Sequence, residues 1–185
     1  MSLLRSTLEM SYYVRRLNSI SNWTDRNAEI NREAISADAI SELKTANNQL
    51  SWWELDDIDD DSKIEKLAAA MFSTMNYKIG EICLVMIPSQ DISADIKLVS
   101  SPKNGNSAVK GISCFHYDMV DLNYGKIGIV AETIASHTAN GDGVFVKIIT
   151  SKKLVEKLKQ LLDEKQVDEK KLGKYVKEKL GLESV

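Results

Sequence analysis

The sequence predicts an α+β fold: an antiparallel or mixed central sheet with packed helices and a C-terminal helical hairpin. Three observations carry this. Segments 81–87, 95–99 and 112–117 read as strands with no helix between them, which argues against a sheet built from strand-helix-strand crossovers. Glu81 to Pro88 (Glu-Ile-Cys-Leu-Val-Met-Ile-Pro) is a short, continuous apolar run, the pattern of a strand buried on both faces. From Leu154 to Leu180, apolar residues recur at helical spacing in two successive segments.

Taken in order, residues 11–18 (Ser-Tyr-Tyr-Val-Arg-Arg-Leu-Asn) are β-branched and aromatic without helical spacing, and predict a strand. Ser36 is placed as the N-cap of a helix over 37–46, with Ile35 and Ile40 at the spacing of a hydrophobic staple. Asn47-Asn48 ends that helix, and Leu50 to Leu55 form a short strand. The acidic run Asp56-Asp57-Ile58-Asp59-Asp60-Asp61 leads to Ser62-Lys-Ile-Glu65, a capping box opening a helix with Ile64, Leu67, Ala68 and Met71 on one face.

Ser100 to Gly111 has turn residues and little to bury, so it reads as a mobile loop before a strand at 112–117. Residues 125–138 suit a helix through Ile127, Ala131 and Ile134, although Lys-Ile-Gly-Ile-Val also alternates; helix is the reading taken. Asn140-Gly-Asp-Gly143 is turn chemistry, followed by a strand over Val144 to Ile149. Helix 152–165 buries Leu154, Val155, Leu158, Leu161 and Leu162, with Lys152/Glu156 and Lys159/Asp163 as opposite-charge pairs. The second helix of the hairpin starts at Asp168, carries Leu172, Val176 and Leu180, and closes at Gly181.

Length and composition predict one domain over residues 1–185 that needs neither metal nor disulfide to fold; hydrophobic residues make up 43% and charged residues 28%. Cys83 and Cys114 have no close-spaced partner and read as free thiols. No window is long and apolar enough for a membrane span, and the first residues lack a signal-peptide core, which predicts a cytoplasmic protein. Lysine-over-arginine and asparagine usage suggests a bacterial source. A net charge of −3 provides no basic field for nucleic acid. The charge is nonetheless uneven: all five arginines lie within the first 32 residues, and residues 151–185 hold ten lysines against seven acids.

Chemistry-bearing residues are sparse. A strand through 112–117 would put Cys114, His116 and Asp118 on one face, with His137 as a fourth member, so the thiol, imidazoles and carboxylate together form a candidate catalytic cluster with the 100–111 loop as its lid. The spacing matches no zinc or catalytic-cysteine signature. The acidic run lacks the glycine and terminal glutamate of a calcium loop, so its carboxylates are read as complementing a helix dipole. Gly141 and Gly143 precede a strand rather than a helix, the wrong order for a phosphate cradle. Lys170, Lys174 and Lys177 form a basic stripe that reads as a solvated helix face. Trp52 and Trp53, adjacent on a strand, must point to opposite faces, so one indole enters the core and the other is either covered or offered to a partner. The expectation is a non-catalytic protein-binding or regulatory domain using Trp52/Trp53, by partner capture or self-association. Its alternative is a small enzyme using Cys114, His116, Asp118 and His137. No cofactor or metal is implied by either.

Overall fold

The computed structural model describes residues 11–23, 36–139 and 144–182. Its centre is a six-stranded antiparallel sheet: β1 (Tyr12–Leu17), β2 (Leu50–Leu55), β3 (Glu81–Pro88), β4 (Lys97–Ser100), β5 (His116–Val120) and β6 (Val146–Thr150), in the order β4-β5-β2-β1-β3-β6. The apolar run of β3 is explained by position. Flanked by β1 and β6, it sends Ile82, Leu84 and Met86 into one hydrophobic layer and Cys83, Val85 and Ile87 into the other.

Helices cover both faces. On one lie α2 (Asp61–Phe72), α4 (Ser151–Asp163) and α5 (Lys174–Leu180), packed through Ile64, Leu67, Leu154, Leu158 and Val176. The short α1 (Asp38–Ser41) and the long α3 (Tyr124–Ala139) cover the other, where Ala39, Val130 and Ile134 meet Trp52 and Met119. The α+β class and antiparallel sheet read from the sequence are therefore present. Among the described residues, no helix is long and apolar enough to cross a membrane.

Several local expectations are corrected. Asp60, not Ser62, caps α2, because its carboxylate accepts from the backbone N–H groups of both Ser62 and Lys63 (2.9 and 3.2 Å). The helix expected over 37–46 shortens to Asp38–Ser41, and its staple partner Ile35 lies outside the described residues, as does the turn at 140–143. Asp168 caps only a 3-10 turn at Glu169–Lys171, and α5 begins at Lys174. The intervening Gly173 sits so close to the Met75 carbonyl that a β-carbon would collide with it, and its N–H donates to Ser73 O (2.9 Å). The second arm of the predicted hairpin is thus broken rather than one continuous helix. Lys152/Glu156 and Lys159/Asp163 are not ion pairs; Lys153 instead reaches Glu65 on α2 at 2.7 Å.

The 100–111 loop is fastened rather than free. Ala108 and Val109 are buried, Ala108 N–H donates to Ser73 Oγ (2.9 Å), and backbone bonds join Lys110 to Gln166 and Asp168 to Ala108 (both 2.8 Å). The segment expected to be a strand over 112–117 begins instead as a 3-10 turn, Ile112–Phe115, after Gly111 in the left-handed region (φ 76°).

Candidate functional site

The candidate site follows from how β1 and β2 pair. β1 pairs with β3 along its whole length, but with β2 only from Tyr12 to Val14. On its opposite edge β2 pairs with β5 from Leu50 to Trp53, so Trp53 has a ladder partner on both sides while Leu50 to Trp52 have one only on the β5 side. Beyond Val14 the two strands part, and a cleft of about 480 Å³ opens among Arg15, Arg16, Glu42, Lys44, Trp53 and His116, with Met71 and Met75 at the end of α2.

Arg15 spans the gap. One guanidinium nitrogen donates to Ser51 O (2.8 Å) and another to Glu42 O (2.9 Å). Burial lowers its pKa to about 10; neighbouring Arg16 adds to the fall and Glu42 opposes it, so the group remains a cation at neutral pH. Arg16 donates to the Tyr77 hydroxyl (3.2 Å) and to Asn18 Oδ1 (3.3 Å), both neutral. Lys44, exposed on the rim, has no ion pair among the described residues. Among the described residues Glu42 is the one carboxylate lining the cleft, and its oxygens accept from Asn18 N–H (2.7 Å), Ser19 N–H (3.2 Å) and Asn22 Nδ2 (2.9 Å).

His116 and Asp118 lie on β5, on the same face as Trp53. The Trp53 and His116 rings meet edge to face with centroids 4.9 Å apart. His116 Nδ1 lies 2.9 Å from Ser101 Oγ and 3.1 Å from Ser101 O; burial depresses its pKa, partly countered by Asp118 and by the Ser101 hydrogen bond. Burial of Asp118 works to raise its carboxyl, but hydrogen bonds from Asn104, Ser101 and Ser51 outweigh this and hold it below the usual range. Two of these donors are 2.6 Å (Asn104 Nδ2) and 3.1 Å (Ser51 Oγ) away. Gly105 is required here because a β-carbon would approach His116 Cβ to 2.8 Å. Together these contacts fasten the 101–113 loop onto β5.

The other two members of the sequence-derived cluster are elsewhere. Cys114 belongs to the 3-10 turn rather than the strand; its exposed thiol donates to Gly111 O (3.0 Å) and does not line the cleft. His137 is on α3, with Nε2 2.9 Å from Asp91 Oδ2 and Nδ1 2.8 Å from Thr133 O. Asp91 follows β3, three strands from β5, a separation of about 14 Å at the usual strand spacing. Among the described residues no three His, Cys, Asp or Glu side chains converge on a metal position. The acidic run is occupied: Asp56 pairs with Lys63 (2.8 Å), Asp57 accepts from Asp59 N–H (2.9 Å), and Asp61 reaches Lys147 (3.4 Å).

Both indoles are buried, in opposite layers. Trp52 is fully enclosed, and Trp53 is 7% exposed, where it walls the cleft. Sequence reasoning missed Arg15, Arg16, Glu42 and Lys44; the concentration of arginine near the start of the chain was the available signal. Comparison with models of protein families, with curated proteins and with solved structures finds no match.

Proposed function

We propose that this chain is a non-catalytic protein-binding or regulatory domain, of a bacterial-type cytoplasm, that captures an acidic segment of a partner protein in the cleft between β1 and β2. One observation carries the reading: Arg15, Arg16 and Lys44 line a single cleft, and among the described residues none of them bonds a carboxylate. Among the described residues the nearby carboxylates are engaged by neutral donors, Glu42 by backbone and amide N–H groups and Asp118 behind the wall by Asn104 and Ser51, and the cleft lining holds three cations against the single carboxylate of Glu42. In a chain of net charge −3, this is a local positive field suited to steering an anionic ligand. Trp53 and the two methionines supply the apolar wall against which a side chain would pack. The alternative enzyme, using Cys114, His116, Asp118 and His137, lacks such support, because Cys114 and His137 lie away from the cleft.

The test is fluorescence anisotropy with labelled hexaglutamate, and hexalysine as control. The intact protein should bind hexaglutamate saturably and more weakly as salt rises. The double variant Arg16→Glu/Lys44→Glu should lose at least about tenfold in affinity, or about 1.4 kcal/mol. Equal binding of both peptides, or no effect of the double variant, would refute the reading.

A further inference from the structure

A second cavity, of about 290 Å³, lies between α2, the end of β2 and the 3-10 turn at Ile112–Phe115, and shares no lining residue with the cleft. Its floor is apolar: Leu55, Leu67 and Ile112 are buried there, and Phe115, 46% exposed, forms a flank. Three lysines stand around it, and their partners differ. Lys63 is neutralised by Asp56 at 2.8 Å, whereas Lys66 donates to Gln166 Oε1 (2.8 Å) and Lys110 to the Lys165 carbonyl (3.0 Å). Glu54 also borders the cavity, but it alternates to the face of the sheet opposite Leu55 and its carboxylate is engaged by the Tyr117 phenol. An apolar floor is therefore rimmed by two ammonium groups held only by neutral oxygens.

From this juxtaposition we infer that the cavity binds a small amphipathic carboxylic acid, with its apolar body on Leu55, Leu67 and Ile112 against Phe115 and its carboxylate between Lys66 and Lys110. A carboxylate arriving there exchanges neutral acceptors for a charged one, and charge-assisted hydrogen bonds are roughly twice as strong as neutral ones. The volume is at the small end of the range for ligand pockets, about 300–1,000 Å³, which favours a short chain or single ring over a larger ligand. An apolar floor distinguishes this cavity from the cleft, whose lining is dominated by cations and amides.

The probe is octanoate, kept below its micelle-forming concentration, with 1-octanol as its uncharged counterpart, followed by amide NMR shifts of the full chain. Octanoate should move the amides of Leu55, Lys66, Gly111 and Phe115 and bind about tenfold tighter than octanol. Lys66→Gln/Lys110→Gln should bring octanoate down to the affinity of octanol and leave octanol unchanged, while Phe115→Ser should weaken both. Lys110 and Phe115 are exposed and Lys66 is half-buried, and none of the three belongs to the buried core, so these variants retain it. Octanoate binding no tighter than octanol, shifts that map elsewhere, or indifference to the lysine substitutions would overturn the inference. With no lining residue in common, failure here leaves the hexaglutamate result untouched, and the reverse holds.

Discussion

Replacing each tryptophan of the Trp52-Trp53 pair by alanine tests whether the indoles are core or contact surface. A buried tryptophan removes about 150–250 Å² from water, worth about 4–6 kcal/mol at about 25 cal/mol per Å². Measured truncations of buried aromatics cost about 3–5 kcal/mol. Trp52 is enclosed by Ile87, Met119 and Val130, so the hole it leaves cannot be wetted and its cost falls at the upper end. Trp53 borders the cleft, where solvent can enter, so its cost should approach about 3 kcal/mol. For a chain of this size each kilocalorie corresponds to about 2–4 °C in Tm, so both variants should melt well below the parent. Trp52→Phe offers an internal control. The buried Trp52 Nε1 has no hydrogen-bond partner among the described residues, so phenylalanine also removes an unsatisfied donor and should cost well under half of the alanine value. Urea unfolding followed by far-UV circular dichroism, with a constant m, gives the three differences. A loss below about 0.5 kcal/mol for either alanine variant, the range of surface substitutions, would sink the assignment of both indoles to the core.

Thiol chemistry should divide the cysteines: Cys83 is buried and its pKa is pushed up to about 12 by burial, so labelling of the native protein should modify exposed Cys114 and spare Cys83 until denaturant is added. Rapid labelling of both would contradict the double layer around β3. Acid should weaken the fold in two stages. His116 has a folded pKa below its unfolded value of about 6.5, so the unfolded chain binds more protons and stability falls as pH drops through that value toward the folded pKa. Asp118, depressed below the ordinary value of about 3.9, contributes stability that is lost as pH falls from there through its folded pKa. Measured between pH 4 and 8, the unfolding free energy of the parent should fall relative to that of His116→Gln as pH drops below about 6.5; parallel curves would show that His116 contributes nothing to the pH dependence.

Much of the fold was legible because burial on two faces leaves a local trace. The apolar run of β3 and the helical stripe of α4 each reflect a single neighbour layer or pair of layers, so a short window carries the pattern. The loop at 100–111 misled for the opposite reason. Its apolar content is low, but Ala108 and Val109 are buried by partners at Ser73 and residues 166–168, which no local window contains. A single bend also undid part of the proposed catalytic cluster: once the chain turns as a 3-10 helix through Cys114, the alternation that would align it with His116 no longer applies.

The cleft was invisible for a deeper reason, since it depends on register between strands rather than on any one of them. β2 keeps its ladder with β5 along one edge from Leu50 to Trp53, but on the other edge its ladder with β1 stops at Val14 and Trp53, leaving the end of β1 without a ladder partner on that side. Arg15 supplies side-chain donors to Ser51 O and Glu42 O at this break, while Glu42 accepts the N–H groups of Asn18 and Ser19 just past the strand. Arginine and glutamate are therefore present side by side, yet neither neutralises the other through a direct carboxylate-guanidinium bond: each is spent on backbone. Hydrogen bonds from neutral donors leave the Glu42 charge in place but use most of its accepting capacity, so among the described residues the cleft holds one carboxylate against the three cations Arg15, Arg16 and Lys44. Ending the ladder in this way is what leaves a positive cleft on a negatively charged chain.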